Sequence, residues 1–373
     1  MVKRYLHFVY PPQVSTQVSS FLCEFAGRET GHQQYWKAKY RMVLRFLFYR
    51  KDLKKKEDEN MIIQTGVRTD IPAFYSEWLA NRIKEGYVLV RNPYNPLQVT
   101  RYDLSPEVVD LITFCTKNPK PMFSYMDLLK PYGQYWFVTI TPYGKEIEPG
   151  VPDKDEVIES FQKLSRMVGA DCIGWRYDPI FISDDYPLAF HLQWFEETAA
   201  KMEGYTHTCV ISFIDLYEKV LRNFPEVKAV EKKDRLAIGE HFAEIGRKHG
   251  LVIKSCAEGR ELERFGVDCN GCMTVSAYEK ALKGHLHIPK QAPKRPECVC
   301  FLGNDIGAYH TCGHLCRYCY ANDNADLVRE NRKQHNPNSP FLIGESRPED
   351  VIHQAKQEKW LEIQMSLFDY MDM

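Results

Sequence analysis

Six short apolar runs divide the chain between residues 61 and 258. They are MIIQTGV (61–67), VDLITFCT (109–116), YWFVTIT (135–141), CIGWRYD (172–178), CVISFID (209–215) and LVIKSCAE (251–258). Amphipathic stretches typical of helices lie between them, at 73–85, 154–168, 187–203 and 233–249. Asp153 gives the second stretch a cap-like start, and Gly250 ends the last. Strands that alternate with helices in this way predict an α/β protein with a parallel sheet.

Polar and turn-forming residues follow each apolar run. In a parallel barrel the carboxyl ends of the strands converge on one face, where active sites are built. We therefore predict a TIM-like (β/α) full or partial barrel of six or more strands, with cysteine-rich C-terminal segments closing one mouth. Each polar residue alone could equally serve a turn or a helix cap. As a set, the candidate catalytic residues are Arg68, Asp70, Lys117, Asn118, Arg176, Asp178, Asp215 and Glu258.

The two ends of the chain differ from its centre. Residues 37–56 interleave basic and aromatic residues and run into the charged string EDEN. An amphipathic helix on a membrane surface or on nucleic acid is one interpretation of this segment. We favour the simpler interpretation that residues 1–60 are a loosely attached extension. The predicted domain then covers residues 61–345, and residues 346–373 form a tail.

Composition narrows the class of protein. Of 373 residues, 44% are apolar and 27% charged, which fits a soluble globular protein with a sizeable core. The formal net charge of −1 gives no electrostatic reason to expect nucleic acid or a membrane as partner. Apolar runs are too short to span a bilayer, and the N-terminal one is too short for a signal peptide. We therefore expect a cytoplasmic protein whose twelve cysteines do not form disulfides.

Eight of the twelve cysteines lie between Cys256 and Cys319, as a metal site would require. The most specific spacing is C-x₃-C-x₂-C, formed by Cys312, Cys316 and Cys319. Three such thiolates can bind three irons of a [4Fe–4S] cluster and leave the fourth iron open. Zinc is the alternative, with His310 or His314 as a fourth ligand.

The triplet resembles the hallmark of the radical S-adenosylmethionine (SAM) superfamily, because Tyr318 occupies its aromatic position. Tyr320-Ala321-Asn322 continues as in the spore photoproduct lyase branch. The resemblance implies a [4Fe–4S] cluster on Cys312, Cys316 and Cys319, with Tyr318 in the cofactor site. It also implies bound SAM, cleaved to a 5′-deoxyadenosyl radical, and an electron donor such as flavodoxin or ferredoxin. Arginines of the candidate set would then hold the SAM carboxylate or an anionic substrate, and its carboxylates would bind ribose hydroxyls or handle protons.

Two features depart from that superfamily. The triplet usually follows the first strand, whereas here it lies near residue 315, and no Gly-Gly-Glu segment follows the second strand. A circular permutation would explain the late triplet. The cluster loop and a helix around 322–333 would then take the place of the first βα unit.

A closer resemblance runs from residue 61 to about 345. It is carried by RTDIPAFY at 68–75 and by the downstream strings VLVRNPYNP, TKNPKPM, TPYGK, WRYDPI, SFIDLY and CAE. Together with the terminal cysteines, these strings look like an uncharacterised bacterial family with a C-terminal radical-SAM-like cysteine motif. This resemblance implies the fold and the cluster, but it names no substrate.

The remaining cysteines suggest a second metal site. Cys256, Cys272, Cys298 and Cys300 would suffice as ligands, and Cys269 could replace Cys272. We favour an auxiliary [4Fe–4S] cluster over structural zinc, because the domain already has iron–sulfur character.

The sequence thus predicts an iron–sulfur protein, specifically a radical SAM enzyme acting on an unidentified substrate. An electron-transfer or redox iron–sulfur protein and a zinc-stabilised binding module are the alternatives. Near-zero charge favours a small molecule or peptide over nucleic acid as substrate. Gln364–Phe368 resembles the peptide by which bacterial proteins dock on the DNA sliding clamp. A tail that folds back on the domain explains the same residues.

Overall fold

A computed structural model describes residues 61–288 and 300–362. Three features predicted above lie outside these ranges, namely the extension 1–60, Cys298 and the clamp-like segment Gln364–Phe368.

Twelve strands and nine α-helices occur in the described ranges. The strands are β1 Ile62–Gln64, β2 Tyr87–Arg91, β3 Gln98–Asp103, β4 Leu111–Thr116, β5 Gly133–Thr139, β6 Ile173–Ile180, β7 Thr208–Phe213, β8 Val252–Ser255, β9 His285–Leu286, β10 Asn304–Asp305, β11 Val351–Gln354 and β12 Leu361–Glu362. The helices are α1 Ile71–Phe74, α2 Ser76–Glu85, α3 Met126–Leu129, α4 Lys154–Val168, α5 Leu188–Met202, α6 Glu218–Asn223, α7 Lys232–Lys248, α8 Val275–Leu282 and α9 Ala325–Lys333.

The main sheet has seven parallel strands in the order β10-β1-β4-β5-β6-β7-β8. Its last six strands are the six apolar runs, so that part of the prediction is confirmed. The four predicted helices correspond to α2, α4, α5 and α7, and Asp153 caps α4 by accepting from Asp155 N at 3.0 Å. Because all seven strands are parallel, their carboxyl ends share one edge.

The two faces of the sheet are buried by different parts of the chain. Trp136 and Phe137 are consecutive on β5 and join different apolar clusters, as side chains on opposite faces of a strand must. The cluster around Trp136 includes helix residues such as Phe195 of α5. The cluster around Phe137 includes Cys272 and Tyr278, so the cysteine-rich region covers that face. Burial on both faces explains why these strands read as continuous apolar runs.

The sheet is open at β8 and β10, and the described residues form no closed barrel. The prediction of a full barrel is therefore not confirmed, and the fold is a mixed α/β one with a seven-stranded parallel sheet. The described part of the chain between β8 and β10 adds no further strand to this sheet. It forms α8 and β9 instead, and β9 pairs with β12.

A second, three-stranded sheet, in the order β11-β3-β2, was not predicted. Its hairpin, β2 and β3, is inserted between β1 and β4 of the main sheet.

Candidate metal centres

The cysteine triplet lies on the loop between β10 and α9, at the carboxyl edge of the sheet. Gly150 N, from the segment after β5, donates to His314 O at 2.9 Å. Asn322 Nδ2 donates to Cys312 O at 2.9 Å and closes the loop on itself. The loop is therefore fixed both by its own side chains and by a neighbouring βα segment.

The three sulfurs of the triplet share a largely buried environment. Cys316 is buried, and Cys312 and Cys319 are half-buried. Burial raises the pKa of all three thiols; Asp70 raises that of Cys312 further, whereas Lys117 acts to lower the pKa of Cys316. In the part of the chain that the structure describes, the sulfur atoms of Cys312, Cys316 and Cys319 do not all lie within 4.8 Å of one another.

Gly150 makes a close approach that the triplet loop depends on. A Cβ at this position would lie 2.2 Å from Gly313 O and 2.8 Å from His314 Cα. We expect Gly150→Ala to displace the loop, to cost about 1–3 kcal/mol of stability, and to lower the iron bound after reconstitution. Gly144→Ala is the matched control, because the three atoms nearest to its Cβ would all belong to the flexible Glu146 carboxylate. Equal iron content and equal denaturant midpoints for the two variants would contradict this expectation.

Both histidines near the triplet contact groups other than the cysteines. The ring of His314 has Nε2 2.8 Å from Asp70 Oδ2 and Nδ1 3.1 Å from Gly150 O. His310 Nδ1 accepts from Asp323 N at 2.9 Å. Both nitrogens of His314 and Nδ1 of His310 are thus engaged by groups other than the cysteines.

A second cysteine group lies apart from the triplet. The sulfurs of Cys256, Cys272 and Cys300 all lie within 4.8 Å of one another, so this triad could bind a metal ion. Cys272 Sγ is 3.5 Å from Cys256 Sγ and 3.3 Å from Cys300 Sγ. Cys269 is not a member, because its thiol instead contacts Val267 O at 3.7 Å. The structure therefore brings together three of the four cysteines predicted for the second site, and the fourth lies outside the described residues.

An arginine connects the triad to the carboxyl edge of the sheet. Arg176 Nη1 lies 3.8 Å from Cys272 Sγ, and Arg176 Nε donates to Asp178 Oδ2 at 3.0 Å. Ser212 Oγ, on the neighbouring strand, donates to the other oxygen of Asp178. Arg176 and Asp178 are two residues apart on β6 and so share a face. Two predicted catalytic residues thus form one ion pair beside the second cysteine group.

A buried carboxylate, Glu148, organises the surroundings of Cys316 and was not predicted. It accepts from Lys117 Nζ and Thr141 Oγ1 at 2.8 and 2.7 Å, and from Lys154 and Tyr318 as well. Burial alone would raise the pKa of Glu148, but the two lysines outweigh it and lower the pKa to about 2.

Nothing in the local sequence distinguishes Glu148 from Glu146, which is exposed. Glu148 can be identified as a site residue only from its contacts in the folded structure, such as those with Lys117 and Tyr318. Through this network Lys117 and Tyr318, both predicted site residues, come together beside the triplet.

Two other predicted residues make the local bonds of turns and caps. Asp70 caps α1 by accepting from Ala73 N at 3.0 Å, and it also accepts from Lys117 N at 2.8 Å. Asn118 Oδ1 accepts from Lys120 N at 3.2 Å. The capping alternative therefore describes both side chains, although Asp70 also contacts the triplet loop through His314.

The last three predicted residues lie at the carboxyl ends of β1, β7 and β8. Arg68 pairs with the Asp305 carboxylate and donates to Asp305 O at 2.6 Å. Asp215 is exposed. Glu258 is half-buried and accepts from Phe213 N at 2.8 Å. Burial, reinforced by the negative charge of Asp215, raises the pKa of Glu258 to about 8.

No helix in residues 61–288 or 300–362 combines the length and the apolar character needed to span a bilayer.

No curated protein matches this chain. A family model does match, from residue 62 to residue 321, a range that includes both cysteine groups and most of the chain. The chain belongs to the family described as a domain of unknown function, DUF1848.

Proposed function

We propose that this protein is a radical SAM-type enzyme that binds a [4Fe–4S] cluster on Cys312, Cys316 and Cys319. The observation that carries the proposal is the strand order. β10 comes last among the seven strands in the chain, yet it lies at the edge of the sheet beside β1. The strands β1, β4, β5, β6, β7 and β8 then follow in chain order.

This order supports the circular permutation inferred from the sequence. β10, the cysteine loop and α9 form a strand–loop–helix unit at one edge of an otherwise sequential parallel sheet. A partial barrel that begins with its cluster-bearing unit has the same spatial order. The late position of the triplet is therefore compatible with a site built as in the superfamily that it resembles.

The surroundings of the triplet fit a thiolate-bound cluster. Ala321 N donates to Cys319 Sγ at 3.4 Å, and donors of this kind stabilise ligand sulfurs and tune the metal. Lys117, beside Cys316, supplies positive charge near the same group. Two buried oxygens near the loop, Thr69 Oγ1 and Asn322 Oδ1, have no hydrogen-bond partner among the described residues. Buried polar atoms without partners call for an explanation, and a bound cofactor such as SAM would provide one.

When bound, the cluster and SAM would supply the electron and the carbon-centred radical that abstracts hydrogen from substrate. The chain's own residues would do the rest. Cys312, Cys316 and Cys319 would hold the cluster, while Glu148 fixes Lys117 beside it. Arg176 and Asp178 would present charge on the face of β6 that they share and orient a polar substrate.

The test is the formation of 5′-deoxyadenosine. Anaerobically reconstituted full-length protein, reduced with dithionite in the presence of SAM, is expected to release it. Iron and sulfide in the protein without any 5′-deoxyadenosine would instead indicate the electron-transfer or redox alternative. Zinc as the sole metal would indicate the binding-module alternative.

The partners remain proposals. We propose a small-molecule or peptide substrate and reduction by a flavodoxin or ferredoxin in the cytoplasm. Binding to the DNA sliding clamp through Gln364–Phe368 is a further prediction, and that segment lies outside the described residues.

A further inference from the structure

The second cysteine group joins the two open edges of the main sheet. Cys256 directly follows β8, the strand at one edge, and Cys300 lies four residues before β10, the strand at the other. Cys272 comes from the segment between β8 and α8 and contacts both sulfurs. Chain segments that follow one edge strand and precede the other therefore meet at three sulfur atoms, beside a backbone hydrogen bond of 2.7 Å from Phe301 N to Met273 O.

The sulfur–sulfur distances match one shared ion. Zinc bound tetrahedrally by thiolates at about 2.3 Å holds its sulfurs about 3.8 Å apart. The contacts of Cys272, at 3.5 and 3.3 Å, are close to that separation. They are too long for a disulfide, and a disulfide would leave the third thiol out. They are also shorter than a cubane allows, because its thiolates bind separate irons.

The neighbouring groups stabilise negative charge on these sulfurs. Cys272 N and Met273 N point at Cys300 Sγ from 3.3 and 3.5 Å. The Arg176 guanidinium lies 3.8 Å from Cys272 Sγ. Cys256 and Cys272 are only 6% and 3% exposed, so thiolates here could not rely on water for their charge. Backbone donors and a cation around buried sulfur are the outer shell that a metal–thiolate site requires.

We propose that Cys256, Cys272 and Cys300 bind a single thiolate-preferring divalent ion, of which zinc is the representative. The ion would link the segments beside β8 and β10, two edge strands of the main sheet that do not pair with each other. Within the described ranges, no further Cys, His, Asp or Glu belongs to this group. The proposal does not use Cys298, which lies outside those ranges. It concerns a different site from the proposed cluster and does not depend on SAM chemistry.

The test uses full-length protein in which Cys312, Cys316 and Cys319 are all changed to Ala, so that only the second site can bind metal. With zinc as the probe, native mass spectrometry is expected to show one ion per chain and chemical analysis no acid-labile sulfide. Adding Cys272→Ser should remove the ion. Adding Cys269→Ser, the matched control from the same C-x₂-C pair, should leave it bound.

Iron and sulfide in cluster proportions on this protein would overturn the single-ion assignment, and so would zinc that persists after Cys272→Ser. If the Cys272 variant fails to fold, X-ray absorption on zinc bound to the protein that lacks only Cys312, Cys316 and Cys319 decides. Sulfur neighbours at about 2.3 Å with no metal neighbour support the proposal, and a shell of nitrogen and oxygen refutes it. A failure to form 5′-deoxyadenosine changes none of these readouts.

Discussion

Cys316→Ala is expected to remove about one cluster's worth of iron and sulfide from anaerobically reconstituted protein and to abolish 5′-deoxyadenosine formation. Cys316 is the buried member of the triplet, and its loss leaves only two thiolates on the loop. Thiolates are the ligands that hold iron–sulfur clusters. Iron, sulfide and 5′-deoxyadenosine should be measured on the same preparation.

Cys172→Ala is the matched control for this substitution. Its thiol contacts Ala281 O at 3.7 Å and belongs to neither cysteine group. The control should keep its iron and its activity, and circular dichroism should show that both variants are folded. Unchanged iron in the Cys316 variant, or equal loss in both variants, would remove the assignment of the cluster to the triplet.

Glu148→Ala is expected to destabilise the protein by about 3 kcal/mol, because breaking a buried ion pair leaves charge without a partner. The Glu148 side chain is fully buried, and those of Lys117 and Lys154 are 13% and 22% exposed. Because both lysines are partly exposed to water, we place the loss of stability at the lower end of the range for broken buried ion pairs. Urea unfolding of the metal-free protein at neutral pH measures it. Glu156→Ala, which removes an exposed carboxylate 3.8 Å from Lys120, should cost less than about 1 kcal/mol.

The same carboxylate predicts a pH dependence. The pKa of Glu148 is lowered to about 2 in the folded protein, so the ionised form is the stabilised one. Its contribution is complete above the unfolded pKa of about 4.3 and is lost as the pH falls towards 2. Glu148→Gln should therefore be less stable than the unaltered protein at pH 7 and should converge with it in acid. A constant difference between pH 7 and pH 3 would refute this account.

Much of the main sheet could be predicted because most of its strands have a recognisable pattern in their own local sequence. A strand buried on both faces is an apolar run, and the amphipathic stretches between the runs show the period of a helix. The position of β10 could not be predicted in this way. Asn304–Asp305 is a two-residue polar strand, and only its pairing with Ile63 and Gln64 defines it. The hairpin of β2 and β3 was missed although Val88 and Val99 are buried, because both strands are mostly half-exposed.

The site was predictable where chemistry depends on residue type and spacing, and not where it depends on contact. Cysteine spacing identified both groups, since thiolates crowd together for few other reasons. Spacing could not show whether Cys269 or Cys272 belongs to the second group, because the two residues are only three positions apart. It also could not show that Arg176 pairs with Asp178 or that Glu148 is buried. Those properties arise when separate strands meet.

The position of β10 also sets the order in which the protein can mature. A ribosome completes β1 to β8 before it reaches β10, so the nascent sheet emerges with the side of β1 that faces away from β4 uncovered. Pairing of Ile63 with Asn304 closes a loop of most of the domain, which makes it a slow, late step. The cysteine triplet is synthesised later still. Loading of a cluster would therefore follow translation of almost the whole domain, and chains truncated before residue 304 would present an unpaired strand edge, a known site of aggregation.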